Sequence, residues 1–196
     1  VGRVTVVDFL FARYGARRDL HSIHARRSAE GKNADELVAL GKDGKGKKRS
    51  AANVMIETEK RLERATIRLG ARRSHAVPVR CRELALANAK ARGLDLSAEQ
   101  RGALEHVTSA RGISNVIGYA GTGKSAMLGV AREAWARAGY TVQGAALSGI
   151  AAEGLEHGSR IPSRTLASLE HQWAQGREKL TSRHVLVIDE AGMLGT

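Results

Sequence analysis

The order of apolar segments in this 196-residue chain predicts an α/β fold. Its centre would be an incomplete parallel sheet, preceded by a small, mainly helical basic region. Three observations point there. Downstream of Gly93, short apolar runs alternate with helical patterns, as they do in βαβ units. One of those runs enters a glycine-rich turn that opens directly into a helix. Finally, the whole net charge of +12 lies upstream: residues 1–92 hold 22 Lys/Arg against 10 Asp/Glu, whereas residues 93–196 hold ten of each.

Composition narrows the class. Apolar residues are 42% and charged residues 27%, the balance of a globular chain rather than a disordered one. With aromatics at only 4%, a core has to be built from Leu, Val, Ile and Ala. The single cysteine, Cys81, argues against a disulfide framework or a Cys-based zinc site, and gives the expectation of a cytoplasmic protein. No apolar run approaches the roughly 18 residues of a membrane span. Residues 4–12 are interrupted by Asp8 and lack a small-residue cleavage site, so they make a poor signal peptide. A first residue of Val rather than Met gives the expectation of a fragment. A basic segment beside a neutral one is expected to meet a polyanion, nucleic acid above all. The plainer alternative is a set of helices solvated by arginine.

Residues 1–40 form a segment of little pattern, in which 4–11 read as a strand or a short helix. Residues 41–93 are the basic accessory region. It opens with G-K-D-G-K-G-K-K-R-S at 41–50, three glycines among five basic residues, which reads as a flexible boundary loop. Residues 51–72 are helical by pattern: Met55, Leu62, Ala65 and Leu69 recur at spacings of seven, three and four. Arg61, Arg64, Arg68 and Arg72 line another face, a stripe suited to phosphates or simply to water. Pro78 breaks the chain, and residues 83–92 form a second helix closed by Gly93.

Residues 94–196 carry the α/β pattern. Ser97-Ala-Glu-Gln100 opens a helix as a capping box. A strand at 113–117 is followed by a helix at 124–138 ended by Gly139, then a strand at 141–147. A short helix at 151–156 is stopped at Gly158, another spans 165–175, and a buried strand occupies 184–188. No internal repeat is present.

The glycine-rich turn carries the chemistry. G-Y-A-G-T-G-K-S, from Gly118 to Ser125, matches G-x-x-x-x-G-K-[ST], the P-loop or Walker A pattern, between a strand and a helix. Gly121, Thr122 and Gly123 form the curl that turns backbone N–H groups toward phosphate oxygens. The N-terminus of the following helix adds partial positive charge. Lys124 supplies a full charge to the β- and γ-phosphates, and the Ser125 hydroxyl is a Mg²⁺ ligand. The expected cofactors are therefore ATP and Mg²⁺. The run H-V-L-V-I-D-E delivers Asp189 to the end of a buried strand, as a Walker B element, where it would hold Mg²⁺ through its water shell. Glu190 follows immediately, placed as general base for the attacking water.

With these residues in place, the chain resembles superfamily 1B DNA helicases of the RecD-like group. More narrowly, it resembles the helicase region of Ti-type conjugative transfer relaxases, the TraA family. The stretches that carry the resemblance are L-S-A-E-Q, E-H-V-T, G-Y-A-G-T-G-K-S, A-R-E-A-W, G-A-A-L-S-G-I-A-A-E-G-L, R-T-L-A-S-L-E and V-L-V-I-D-E-A-G-M-L, in order from residue 94 onward. Residues 35–93 fit more loosely, and residues 1–34 do not match. The resemblance implies a RecA-like ATP-binding domain, ending in this chain shortly after the Walker B motif. It implies that Gln100 reads adenine, its amide donating and accepting on one base edge. Ser148 and Gly149 would border the single-stranded DNA track, with Thr165 and Ser168 as a second DNA-side pair. As plain local structure, Gln100 completes the capping box and Thr165 is an N-cap.

The same resemblance implies partners: single-stranded DNA, a second RecA-like domain with its arginine fingers, and an upstream relaxase domain. A chain stopping six residues after Glu190 is expected to bind nucleotide better than it hydrolyses it. His21 and His24 lie near Tyr14 but form no H-x-H pattern, so they read as surface residues, not a metal or nicking site. Three alternatives stand beside the transfer helicase: a RecD-like recombination or repair helicase, a P-loop switch or kinase, and a non-catalytic DNA-binding remnant.

Overall fold

The structure, a computed structural model, describes residues 3–9, 37–42, 48–119 and 121–193. Two compact units divide the chain. One comprises residues 1–12 with 68–195, and the other residues 13–67 with Thr196. His21, His24 and Tyr14 lie outside the described residues.

The larger unit is an α/β sheet. Its five strands are β1 (Arg3–Phe9), β4 (Ile113–Gly118), β5 (Thr141–Ala146), β6 (Ser163–Thr165) and β7 (His184–Ile188), in the spatial order β4-β1-β7-β5-β6. Every pairing is parallel. The strand-or-helix choice at 4–11 therefore resolves as a strand over Arg3–Phe9, in an unexpected place, while residues 10 and 11 lie outside the described residues. Phe9 pairs with Gly118 and Val6 with Ile188, so β1 separates the P-loop strand from the strand that ends before Asp189. The three-residue strand β6 was not anticipated; its backbone joins β5 as Ala146 pairs with Thr165.

A parallel sheet needs both faces covered, and β7 illustrates how this one achieves it. Successive side chains point to opposite faces. Val185 and Val187 join the main core with Leu104, Met127, Leu128 and Trp135, whereas Leu186 joins a smaller cluster with Ala145 and Leu169. The main core is rich in Ala, Val and Leu, as the scarcity of aromatics requires, and Trp135 is its largest fully buried side chain.

The helices are α1 (Asn53–Ala71), α2 (Val79–Ala91), α3 (Ala98–Thr108), α4 (Lys124–Arg137), α5 (Gly149–Ser159) and α6 (Leu166–Ala174). A 3₁₀ turn, Ala191–Met193, follows β7. The capping box at α3 is complete: Gln100 N–H donates to Ser97 Oγ at 3.2 Å, and Ser97 N–H donates to Gln100 Oε1 at 2.9 Å. Gly93 and Gly139 follow α2 and α4 with φ of +83° each, as the sequence indicated. Helix α5 runs further than expected, through Gly158 to Ser159.

Helices α2 and α4 are tied by one carboxylate. Glu133 accepts from Asn88, from Arg92 at 3.1 Å and from Arg137 at 3.1 Å. Burial works against ionisation of Glu133, but the hydrogen bonds from Asn88, Arg137 and Arg92 outweigh it and hold the carboxyl below its ordinary range. The helix that leaves the P-loop is thereby anchored to α2.

The smaller unit contains a hairpin. Strand β2 (Leu37–Lys42) pairs antiparallel with β3 (Lys48–Ala52), with an irregularity between Ala39 and Gly41. This corrects the reading of 41–50 as a loop throughout: both ends of that stretch are strand, and residues 43–47 lie outside the described residues. The helix predicted from 51 starts at Asn53, because Ala51 and Ala52 are taken by the ladder. Its expected apolar face is only partly covered. Ala65 and Leu69 are half-buried, but Met55 and Leu62 are exposed.

Candidate functional site

All the candidate residues downstream of Gly93, except Gln100, sit at or just beyond the carboxyl ends of the parallel strands. In open α/β sheets this is where ligands bind. β4 ends at Gly118, β5 just before Ser148, β6 at Thr165 and β7 just before Asp189. Gln100, on α3, reaches the same place from the side.

The loop after β4 is shaped by its glycines. Gly121 and Gly123 have φ of +80° and +74°, a left-handed conformation that side chains rarely adopt. Thr122 closes the turn by donating from Oγ1 to the Tyr119 carbonyl at 2.8 Å. Gly123 is the N-cap of α4, and Met127 N–H makes the helix's first bond to the Gly123 carbonyl at 3.0 Å. A Cβ on Gly118 would stand 3.0 Å from Thr122 Oγ1 and 3.5 Å from Lys124 Cδ, so the loop packs closely against its own first residue.

Lys124 is 6% exposed, which is unusual for lysine. Its ammonium donates to the carbonyls of Gly118 at 2.5 Å and Tyr119 at 2.6 Å, and it lies within electrostatic reach of Asp189. Burial pushes the Lys124 pKa below the ordinary lysine value, and the Asp189 carboxylate pulls it partly back. A cation held away from water, on backbone carbonyls, is poised to exchange those weak acceptors for phosphate oxygens.

Asp189 is itself 6% exposed. Its N–H donates to the Ala145 carbonyl at 2.9 Å, and its Oδ1 accepts from Glu190 N–H at 3.0 Å. Glu190 adopts φ +53°, the left-handed region, which is uncommon for a side chain without an Asn- or Asp-like local bond. Such strain concentrates at functional positions. The turn lifts Glu190 off the strand direction while Asp189 stays fixed at the strand end. Together, an inward-curled loop, a buried cation and a buried carboxylate beside it fit the phosphate chain of a nucleotide.

Gln100 is placed more tightly than the sequence indicated. While Oε1 accepts from Ser97 N–H, Nε2 donates to the Thr122 carbonyl at 3.0 Å. A side chain on Gly123 would run into that same Nε2. One amide thus joins the start of α3 to the P-loop. It still retains one N–H and one acceptor lone pair.

The other four candidates form a second group. Ser148 Oγ caps α5 by accepting from Ala151 N–H at 3.2 Å, and Ser148 and Gly149 are exposed beside Ile150. Thr165 Oγ1 accepts from Ser168 N–H at 3.2 Å, capping α6. Because β5 and β6 are neighbours, the structure brings these two caps to one edge of the sheet. The sequence did not reveal Gly158, which packs against Ser125. Among the described residues no group of three or more His, Cys, Asp or Glu side chains is arranged to hold a metal, and no helix is long and apolar enough to cross a membrane.

Residues 95–196 match the family model described as AAA domain. The chain is 46% identical over 142 residues to a probable conjugal transfer protein TraA of Sinorhizobium fredii, covering 72% of this chain and 12% of that protein. It is 52% identical over 101 residues to the conjugal transfer protein TraA of Rhizobium radiobacter, covering 52% of this chain and 9% of that protein. A third relative, the conjugal transfer protein TraA of Agrobacterium fabrum, is 41% identical over 148 residues, 76% of this chain and 13% of its own length. The chain thus spans only a small part of the curated relatives it matches. No solved structure matches it.

Proposed function

The chain belongs to the AAA domain family, and on that premise we propose that it is the ATP-binding portion of a DNA helicase acting in conjugative plasmid transfer. The observation that carries this reading is Lys124, buried in the P-loop within reach of Asp189. Residues 94–196, together with β1 and α2 of the same compact unit, form the RecA-like nucleotide domain, and the basic accessory region expected at 41–93 is cut back to its part before Arg68. The similarity to conjugal transfer proteins supplies the pathway.

In this reading Lys124 leaves the Gly118 and Tyr119 carbonyls to neutralise the β- and γ-phosphates of ATP. The N–H groups of Gly121, Thr122 and Gly123, with the start of α4, orient the phosphate chain. Ser125 and Asp189 would hold Mg²⁺, which supplies charge stabilisation to the phosphoryl group when bound. Glu190 accepts the proton of the attacking water on its carboxylate. Ser148, Gly149, Thr165 and Ser168 face the single-stranded DNA, and the upstream arginines add phosphate contacts.

Two experiments bear on this. The first is single-stranded DNA binding by the chain, followed by fluorescence anisotropy across a salt series. Affinity is expected to fall steeply with salt, because neutralised phosphates release counterions. Salt-insensitive binding, or none, would remove DNA from the account. The second concerns base choice. Gln100→Ala is expected to weaken ATP more than GTP, since the spare N–H and lone pair of the amide match the adenine edge. Equal loss for both nucleotides would reduce Gln100 to its capping and loop-holding bonds.

A further inference from the structure

Helix α5 opens on Gly149 and carries two further glycines, Gly154 and Gly158, whose surroundings differ sharply. A Cβ added at Gly154 would meet nothing within 4 Å. A Cβ at Gly158 would lie 2.7 Å from Ser125 Cβ and 3.2 Å from Ser125 Oγ. Neither glycine has a left-handed φ, so backbone conformation does not explain either. Inside a helix glycine is less favourable than alanine, because it gives up more backbone freedom on folding. At Gly154 nothing on the structure offsets that cost. At Gly158 the offset is space for Ser125.

The kind of atom at the contact matters. Ser125 sits in the first turn of α4, and its Cβ is fixed by the helix backbone rather than carried on a flexible arm. A methyl group at 158 could be admitted only by moving the end of α5 or the first turn of α4. The end of α5 is itself pinned: Ser159 Oγ donates to the Leu155 carbonyl at 2.6 Å, and Ile161 N–H donates to Ser159 Oγ at 3.2 Å. Ser159 and Ile161 are fully buried. The strain of a methyl group at 158 therefore falls on Ser125, whose Cβ and hydroxyl are the atoms it meets.

We infer that Gly158 is a positioning residue for the nucleotide site: its bare backbone sets where the Ser125 hydroxyl stands relative to the P-loop. The inference rests on the nucleotide reading above and adds to it a residue on a different helix. Its function is steric. Gly158 touches Ser125 and acts on the metal-bearing phosphates only through that hydroxyl.

The test measures nucleotide affinity with a fluorescent ATP analogue, with Mg²⁺ and in excess EDTA, for wild type, Gly158→Ala and Gly154→Ala. Gly158→Ala is expected to lose about 10- to 100-fold in affinity with Mg²⁺, the usual effect of disturbing a group that orients a metal ligand. In EDTA its affinity stays near wild type, because the loop N–H groups and Lys124 remain. Gly154→Ala keeps wild-type values in both conditions. An unchanged Mg²⁺ enhancement in Gly158→Ala overturns the inference, as does an equal loss with and without Mg²⁺. If Gly158→Ala does not fold, pairing it with Ser125→Gly removes the Cβ that the methyl meets. The double variant should then melt with the Ser125→Gly chain, and failure to do so overturns the inference equally. Wild type that binds no nucleotide in either condition refutes the proposed function instead, so the two failures are distinguishable.

Discussion

Lys124→Met is expected to reduce nucleotide affinity by at least about 100-fold, while the ligand-free chain melts at or above the wild-type temperature. The two effects have one cause. Lys124 is 6% exposed, and its burial lowers the lysine pKa, with Asp189 restoring only part of the shift. A lysine whose folded pKa lies below the unfolded value costs folding free energy in full below the folded value, and the cost is relieved as pH rises from the folded value to the unfolded one. At neutral pH the wild-type chain bears that cost, and a neutral Met of similar length removes it. Binding is lost because two or more charge-assisted hydrogen bonds to phosphate, each worth roughly 1.5–3 kcal/mol, have no substitute donor. Differential scanning fluorimetry and titration calorimetry on the same samples check both halves. A large fall in melting temperature would mean that the bonds to Gly118 and Tyr119 hold the fold rather than await a ligand.

Gly123→Val is expected to fail in the other manner, losing both nucleotide binding and stability. Residue 123 holds φ +74°, and a β-branched side chain there is a true outlier. Any Cβ would also displace the Gln100 amide from the Thr122 carbonyl. Strain of this kind costs about 1–3 kcal/mol, which lowers the melting temperature of a chain this size by roughly 2–4 °C per kcal/mol. The contrast with Lys124→Met separates a residue that shapes the loop from one that the loop serves. An unchanged melting temperature for Gly123→Val would show that the loop is not held in the left-handed form.

The residues that were legible in the sequence share a local cause. H-V-L-V-I-D-E reads correctly as a buried strand carrying an acid to its end because burial on both faces needs only a short apolar run. The P-loop reads because its glycines, lysine and helix start are consecutive. What was not legible depends on distant partners. Residues 4–11 could not be resolved locally, since the strand β1 is defined by backbone pairing to β4 and β7 on either side. The lysine-rich ends of the β2–β3 hairpin resemble a loop in composition and are held by the ladder. Gly158 reads as a helix stop because a glycine kept for close packing looks the same in sequence as one kept for termination. Only Ser125, on another helix, tells them apart. The left-handed turn at Glu190 leaves no trace in residue type at all.

We propose that the curl from Gly118 to Ser125, with Asp189 beside it, binds the phosphates of a metal-bound nucleotide. The most direct test is calorimetric titration of the wild-type chain with ATP, with Mg²⁺ and in EDTA, alongside Lys124→Met. One site per chain is expected, tightened by Mg²⁺ and abolished in Lys124→Met. Absence of binding by the folded wild-type chain, or equal binding by wild type and Lys124→Met, would contradict it.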